Sequence, residues 1–222
     1  MRTLIVIPAR LGSWRFPDKP LTPIMGMPMI EHVYRRSCLV SNVDKVVLAI
    51  CEEKLEEVCH KLQMEYVMTD REQPTAIDRV GEAARSLGYT GHDDVVINVQ
   101  GDEPAEPPPV IEFVSEHLLK YPDVGCANPV ERITDKTELD NPHRIKAVLS
   151  NNERLIYLTR QSIPSSEFDI DNEATFYRQT CVMSFRGDFL QKFCLMPQTN
   201  LELVEGIDML RLIQNDYPIA CS

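Results

Sequence analysis

The sequence predicts an α/β fold with a mostly parallel central sheet flanked by helices. Short, fully apolar runs rich in β-branched residues alternate with amphipathic segments. The alternation repeats four times across short connections, the pattern of a sheet whose strands are covered on both faces.

The first run, residues 4–7, is Leu-Ile-Val-Ile, a strand buried on both sides. A polar, basic loop follows over 9–19. Residues 29–38 read as a helix with Ile30, Val33 and Tyr34 on one face. A second apolar strand over 45–50 is followed by a helix over 52–62, where Leu55, Val58, Cys59 and Leu62 recur at helical spacing. A short third strand over 66–68, a helix over 76–87 and a fourth strand over 95–99 complete the alternation.

The pattern changes after residue 104. Pro107, Pro108 and Pro109 open a helix running to about Lys120, since proline is tolerated in a first turn. Residues 145–149 and 155–158 flank a polar turn and read as a β-hairpin. A polar loop over 161–175, one strand over 179–185 and a final helix over 201–215 follow. The expected organisation is one domain over 1–222 with a lobe inserted at roughly 130–180.

Bulk composition narrows the function. With 222 residues, 43% of them hydrophobic, the chain can bury a sizeable core. A net charge of -11 argues against nucleic-acid and anionic-membrane partners, which need a clustered positive field. A pocket can still be basic within an acidic chain. The seven cysteines are odd in number and form no C-x-x-C pair, as expected of reduced thiols in a cytoplasmic protein. The apolar start is too short for a secretion signal, and no apolar stretch reaches the ~20 residues that span a bilayer.

Ligands bind at the carboxyl ends of strands in such sheets, so the loops after residues 7, 68 and 99 are the places to look for chemistry. The first loop sets Arg10, Arg15 and Lys19 beside Ala9, Gly12 and Ser13. Three cations can neutralise a triphosphate, and loop N–H groups and the Ser13 hydroxyl can add hydrogen bonds. A solvated basic loop is the competing reading, and the stiffening Pro17 and Pro20 weigh against it. No Walker A pattern is present. The third of these loops, Gln100-Gly101-Asp102-Glu103-Pro104, offers Asp102 as a magnesium ligand, because magnesium takes one or two carboxylates and fills its shell with phosphate and water. An ordinary Gly-Asp turn is the alternative. The segment containing Thr75, Asp78 and Arg79 opens a helix, whose N-terminus suits a phosphate or a base carbonyl. Asp78 as a structural cap is equally open.

Taken in order, these segments resemble the 3-deoxy-manno-octulosonate cytidylyltransferases (CMP-Kdo synthetases). The P-A-R-x-x-S-x-R-x-P-x-K-P-L motif stands as Pro8, Ala9, Arg10, Ser13, Arg15, Pro17, Lys19, Pro20 and Leu21. The N-x-Q-G-D-E-P motif stands as Asn98 and Gln100 to Pro104. N-P-x-x-V-K is matched at Asn141, Pro142 and Lys146, with Ile145 in the valine place, and S-R-x-x-I-P at Thr159, Arg160, Ile163 and Pro164. E-x-x-E-x-L-E-x-L-R resembles Glu202, Glu205, Ile207, Asp208, Leu210 and Arg211.

The resemblance implies a sheet of nucleotide-diphospho-sugar transferase type, a dimerising lobe, and transfer of CMP from CTP to an acidic acceptor with magnesium. By position, Arg10, Ser13, Arg15 and Lys19 hold the triphosphate. Ala9, Gly12, Thr75, Asp78, Arg79 and Gln100 complete the nucleotide site, and Asp102 holds the metal. Gln100, Arg160, Gln179, Glu205 and Asp208 face the acceptor, with Arg160 forking its carboxylate. Arg10, Lys19 and Asp102 carry the catalysis, and no protein nucleophile is needed.

The sequence departs from the family pattern in three places. Pro74 stands where the family has glutamine in H-Q-S-G-T-D-R, which removes a donor near the base. Gln179, Cys181 and Met183 stand in the histidine, glycine and tyrosine places of H-x-G-I-Y-x-[YF]. They leave a phosphonate open as an alternative acceptor. The family continues into an H-G-V-D-T-x-E-D segment whose aspartate is a second metal ligand, while this sequence stops at Ser222. A further segment carrying that ligand is the expectation, and a non-catalytic nucleotide-binding relative is the third reading.

Overall fold

Residues 4–7 are completely buried, which fixes them at the centre of a sheet covered on both faces. The computed structural model describes residues 1–12, 16–165 and 174–221. In chain order it contains β1 (Arg2–Pro8), a 3-10 turn (Lys19–Leu21), the small pair β2 (Pro23–Ile24) and β3 (Met27–Pro28), α1 (Met29–Ser37), β4 (Lys45–Ile50), α2 (Glu53–Leu62), β5 (Tyr66–Met68), α3 (Ala76–Ser86), β6 (Asp94–Val99) and α4 (Pro108–Leu119). There follow β7 (Cys126–Ala127), β8 (Val130–Arg132), a 3-10 turn (Lys136–Asp140), β9 (Lys146–Leu149), β10 (Leu155–Thr159), β11 (Tyr177–Gln179), β12 (Val182–Arg186), α5 (Gly187–Leu195), α6 (Asn200–Glu205) and α7 (Leu210–Gln214).

The main sheet has the order β5-β4-β1-β6-β12-β7. The first four of these strands run parallel, and β12 pairs antiparallel with β6 and β7. The fold is therefore α/β with a mostly parallel central sheet flanked by helices. Alternate side chains of β1 and β6 feed two cores. Leu4, Val6 and Val96 pack with Ile77 and Val80 of α3 and Leu190 and Phe193 of α5. Ile5, Ile7 and Ile97 pack with Ile30 of α1 and Ile111 and Val114 of α4. A second sheet, order β10-β9-β11-β8, is antiparallel and spans residues 130–179.

Two expected elements divide. The single strand over 179–185 is β11 and β12, which belong to different sheets. The chain crosses between the sheets at Thr180 and Cys181, where the Thr180 N–H and hydroxyl both donate to the Pro129 carbonyl. The single helix over 201–215 is α6 and α7, separated at Gly206, whose φ of 62° is the left-handed cap that glycine adopts without strain. The helix α5 has no counterpart in the sequence reading. The loop expected over 161–175 lies partly outside the described residues.

Candidate active site

The register of the sheet puts two loops side by side. Val6 of β1 pairs with Asn98 of β6, so the chain leaving Pro8 runs beside the chain leaving Val99. Gly101 makes that approach possible. A Cβ there would meet the Pro8 carbonyl oxygen at 2.7 Å, a distance no side chain tolerates. The result is a cavity of about 360 Å³ at the carboxyl ends of the parallel strands.

Each wall of the cavity comes from one loop. Ala9, Arg10, Gly12 and Lys19 line it from the loop after β1. Thr75 and Arg79 line it from the start of α3, together with Gln73 and Pro74. Gln100 and Asp102 line it from the loop after β6. These sequence-selected residues, drawn from three separate loops, meet in one place. Ser13 and Arg15 lie outside the described residues.

Lys19 and Arg79 have polar partners of their own. Lys19 Nζ lies 2.5 Å from Asp102 Oδ2. Arg10 is exposed within the cavity wall. The loop that carries it is tied down by the Leu11 N–H, which donates to Glu52 Oε1 at 3.1 Å. Glu52 sits just ahead of α2, and nothing local in the sequence links it to a residue 41 positions earlier. Arg79 is buried, donating to the Thr69 hydroxyl and to the Asp70 carbonyl at 3.0 Å. It lines the cavity beside Thr75, whose carbonyl accepts the Arg79 N–H at 3.3 Å.

Four of the expected ligands have other partners. Asp78 is buried and faces away from the cavity, with both carboxylate oxygens 3.0 Å from the Arg211 guanidinium. Its expected contact with nucleotide is replaced by that ion pair, and the helix cap is Thr75, whose hydroxyl accepts the Asp78 N–H. Arg160, expected to fork a carboxylate, instead donates to the carbonyls of Glu205 at 2.6 Å, Pro142 at 3.0 Å and Gly206 at 3.1 Å. Glu205, expected at the acceptor, accepts the Thr159 hydroxyl at 2.6 Å and the Arg160 N–H at 3.0 Å. Asp208 lies with Thr75, Asp78, Glu202 and Arg211, and burial among those carboxylates pushes its carboxyl up to about 6.

Gln179 lines a neighbouring cavity of about 530 Å³ with Glu103, Arg144, Arg178 and Cys181. Its side-chain amide donates to Asn128 Oδ1 at 2.6 Å. Cys181 lines this second cavity, and burial together with the nearby Glu103 pushes its thiol strongly upward. A thiol so raised is a packed side chain, not a nucleophile.

The arrangement fits a polyanionic substrate. Three cations, Arg10, Lys19 and Arg79, and the Asp102 carboxylate line one polar cavity. Among known proteins, the model of the cytidylyltransferase family matches residues 4–219. The chain belongs to the cytidylyltransferase family. This cytidylyltransferase is 36% identical to the 3-deoxy-manno-octulosonate cytidylyltransferase of Desulfatibacillum aliphaticivorans, over 96% of this chain and 86% of that one. It is 34% identical to the 8-amino-3,8-dideoxy-manno-octulosonate cytidylyltransferase of Shewanella woodyi, over 99% of this chain and 89% of that one. A solved structure of a CMP:2-keto-3-deoxy-manno-octonic acid synthetase complexed with CTP superposes with a TM-score of 0.91 at 29% identity. That match covers 100% of this chain and 89% of the other.

Proposed function

We propose that this cytidylyltransferase moves CMP from CTP to a sugar acid of the 3-deoxy-manno-octulosonate type and releases pyrophosphate, with magnesium as its cofactor. The observation that carries the reading is the convergence of Arg10, Lys19, Gln100 and Asp102 on one cavity at the strand ends.

The chemistry needs position and charge. A hydroxyl oxygen of the acceptor attacks the α-phosphorus of CTP and releases its proton to solvent, the bond to the bridging oxygen breaks, and pyrophosphate leaves with that oxygen. Arg10 and Lys19 face the negative charge that builds on the phosphates, a stabilisation that a preorganised site supplies without reorganising. Thr75 and Gln100 offer hydrogen bonds from two sides. Holding both substrates in line supplies the rest of the rate.

Asp102 suits magnesium. Its carboxylate is half exposed at the cavity edge, and no cluster of three ligating side chains stands among the described residues. One carboxylate with phosphate and water oxygens is the donor set magnesium prefers. When bound there, the ion would neutralise phosphate charge.

Two further proposals accompany this reading. The antiparallel sheet over 130–179 ends on β10 and β8 and carries an exposed Ile156, which fits a surface that pairs with a second copy of the chain. Among the described residues no helix is long and apolar enough to cross a membrane, consistent with an enzyme working on cytoplasmic CTP.

Product identification tests the acceptor. Mass spectrometry of reactions with CTP and 3-deoxy-manno-octulosonate, its 8-amino-3,8-dideoxy counterpart, or a small phosphonate should show a CMP ester with one of the two sugar acids. A CMP ester formed only with the phosphonate would overturn the sugar-acid assignment. Gln179 and Cys181 beside Glu103 are the residues that would then have to explain it.

A further inference from the structure

The Arg211 guanidinium is 1% exposed and uses all of its donors. Nε and Nη2 reach Glu202 at 2.9 and 2.6 Å, while Nη1 and Nη2 reach Asp78 at 3.0 Å each. Nη1 also donates to the Phe193 carbonyl at 3.4 Å, and the guanidinium lies over the Phe193 ring, 4.2 Å from its centroid. Two carboxylates on one buried cation is a fork that only arginine fills in this geometry.

The two arms of this clamp lead to different places. Glu202 belongs to α6 and closes a capping box, accepting the Thr199 N–H at 3.1 Å. It stays within the C-terminal helices. Asp78 belongs to the first turn of α3; its Oδ2 accepts the Thr75 hydroxyl at 2.8 Å, and its N–H donates to the Thr75 hydroxyl oxygen at 3.2 Å. Thr75 lines the nucleotide cavity, and so do its neighbours Pro74 and Ala76. A chain of contacts therefore runs from α7 through Arg211 and Asp78 to the cavity wall, and none of its first two members touches the cavity.

We propose that Arg211 is a positioning residue for the nucleotide: through Asp78 it fixes the Thr75 turn against which CTP binds. The inference rests on reading that cavity as the CTP site. A purely structural clamp would treat its two arms alike, because each supplies one buried carboxylate to the same cation. A positioning clamp would not, because the Asp78 arm alone reaches the cavity.

The test compares the arms. Asp78→Asn and Glu202→Gln should lower the melting temperature by similar amounts, and calorimetric titration with CTP should separate them. Asp78→Asn should weaken CTP binding about tenfold, a loss of roughly 1.4 kcal/mol, while Glu202→Gln stays within about twofold of the wild type. Equal losses in the two variants, or no loss in either, would overturn the proposal. Against misfolding, the triple variant Arg211→Met, Asp78→Leu, Glu202→Leu replaces the ionic cluster by apolar side chains, a change that commonly preserves stability. If it folds with wild-type CTP affinity the clamp is structural only; weak CTP binding in a stable triple variant supports positioning. Wild-type protein that binds no CTP overturns the reading of the cavity and the inference with it, whereas wild-type binding with equal losses overturns the inference alone.

Discussion

Lys19 Nζ and Asp102 Oδ2 lie 2.5 Å apart in the lining of the cavity at the strand ends, joining the loop after β1 to the loop after β6. Both side chains are partly exposed, so the pair contributes little to stability and is free to exchange partners. With a magnesium–triphosphate substrate in place, Lys19 is expected to turn to phosphate oxygens and Asp102 to the metal.

Asp102→Asn should therefore leave the melting temperature near wild type and reduce magnesium-dependent turnover by about 10²–10³-fold, the usual cost of one electrostatic contact in a preorganised site. Steady-state assays across a magnesium titration check this. Near-normal turnover in the variant would remove Asp102 from the metal site.

Arg160 supplies a contrasting case. Its three bonds to the carbonyls of Glu205, Pro142 and Gly206 hold the hairpin end to the end of α6. Arg160→Ala should cost about 1–3 kcal/mol of stability, because carbonyls that lose a charged donor are left short of partners. Urea denaturation measures it. Unchanged stability with a raised acceptor KM would return Arg160 to the acceptor carboxylate.

Gly101→Ala places a Cβ 2.7 Å from the Pro8 carbonyl oxygen, so the two site loops must separate. Overpacking of this kind costs about 1–3 kcal/mol. Turnover should fall with stability, because Asp102 is the next residue. A variant with full activity and an unchanged melting temperature would show that the loops are not in contact.

Asp208 gives a pH dependence. Burial, with Glu202 and Asp78 nearby, pushes its carboxyl up to about 6 against the pull of Arg211. The folded protein holds this proton more tightly than the unfolded chain, where a carboxyl titrates near about 4. The resulting stabilisation is complete below about pH 4 and is lost as the pH rises through about 6. Asp208→Asn cannot ionise, so it should melt above wild type at about pH 7.5 and close to it at about pH 4.5. Melting curves across that range decide it, and a difference independent of pH would contradict the assignment.

The strands were legible in the sequence because β1, β4 and β6 are apolar on both faces, and only a strand in a covered sheet sustains that. The break between β11 and β12 was not, because a change of sheet preserves the strand-like composition on either side of it. Gly206 did carry a signal, since glycine inside a helical pattern marks a cap, and the final helix divides there. The cavity residues were legible where they follow strands directly, as Arg10, Gln100 and Asp102 do. The protein partners of Asp78 and Arg160 were not legible for one reason: they lie 133 and 45–46 positions away or across a turn at Pro142, beyond any local pattern. Charged side chains in a motif read alike whether they bind a ligand or a backbone carbonyl.

The most direct measurement is pyrophosphate release by the wild-type protein with magnesium, offering CTP, UTP, ATP and GTP each with 3-deoxy-manno-octulosonate. Release that requires CTP, magnesium and the sugar acid together is the predicted result. Release with another nucleotide in preference to CTP, or none with any pair, would contradict it.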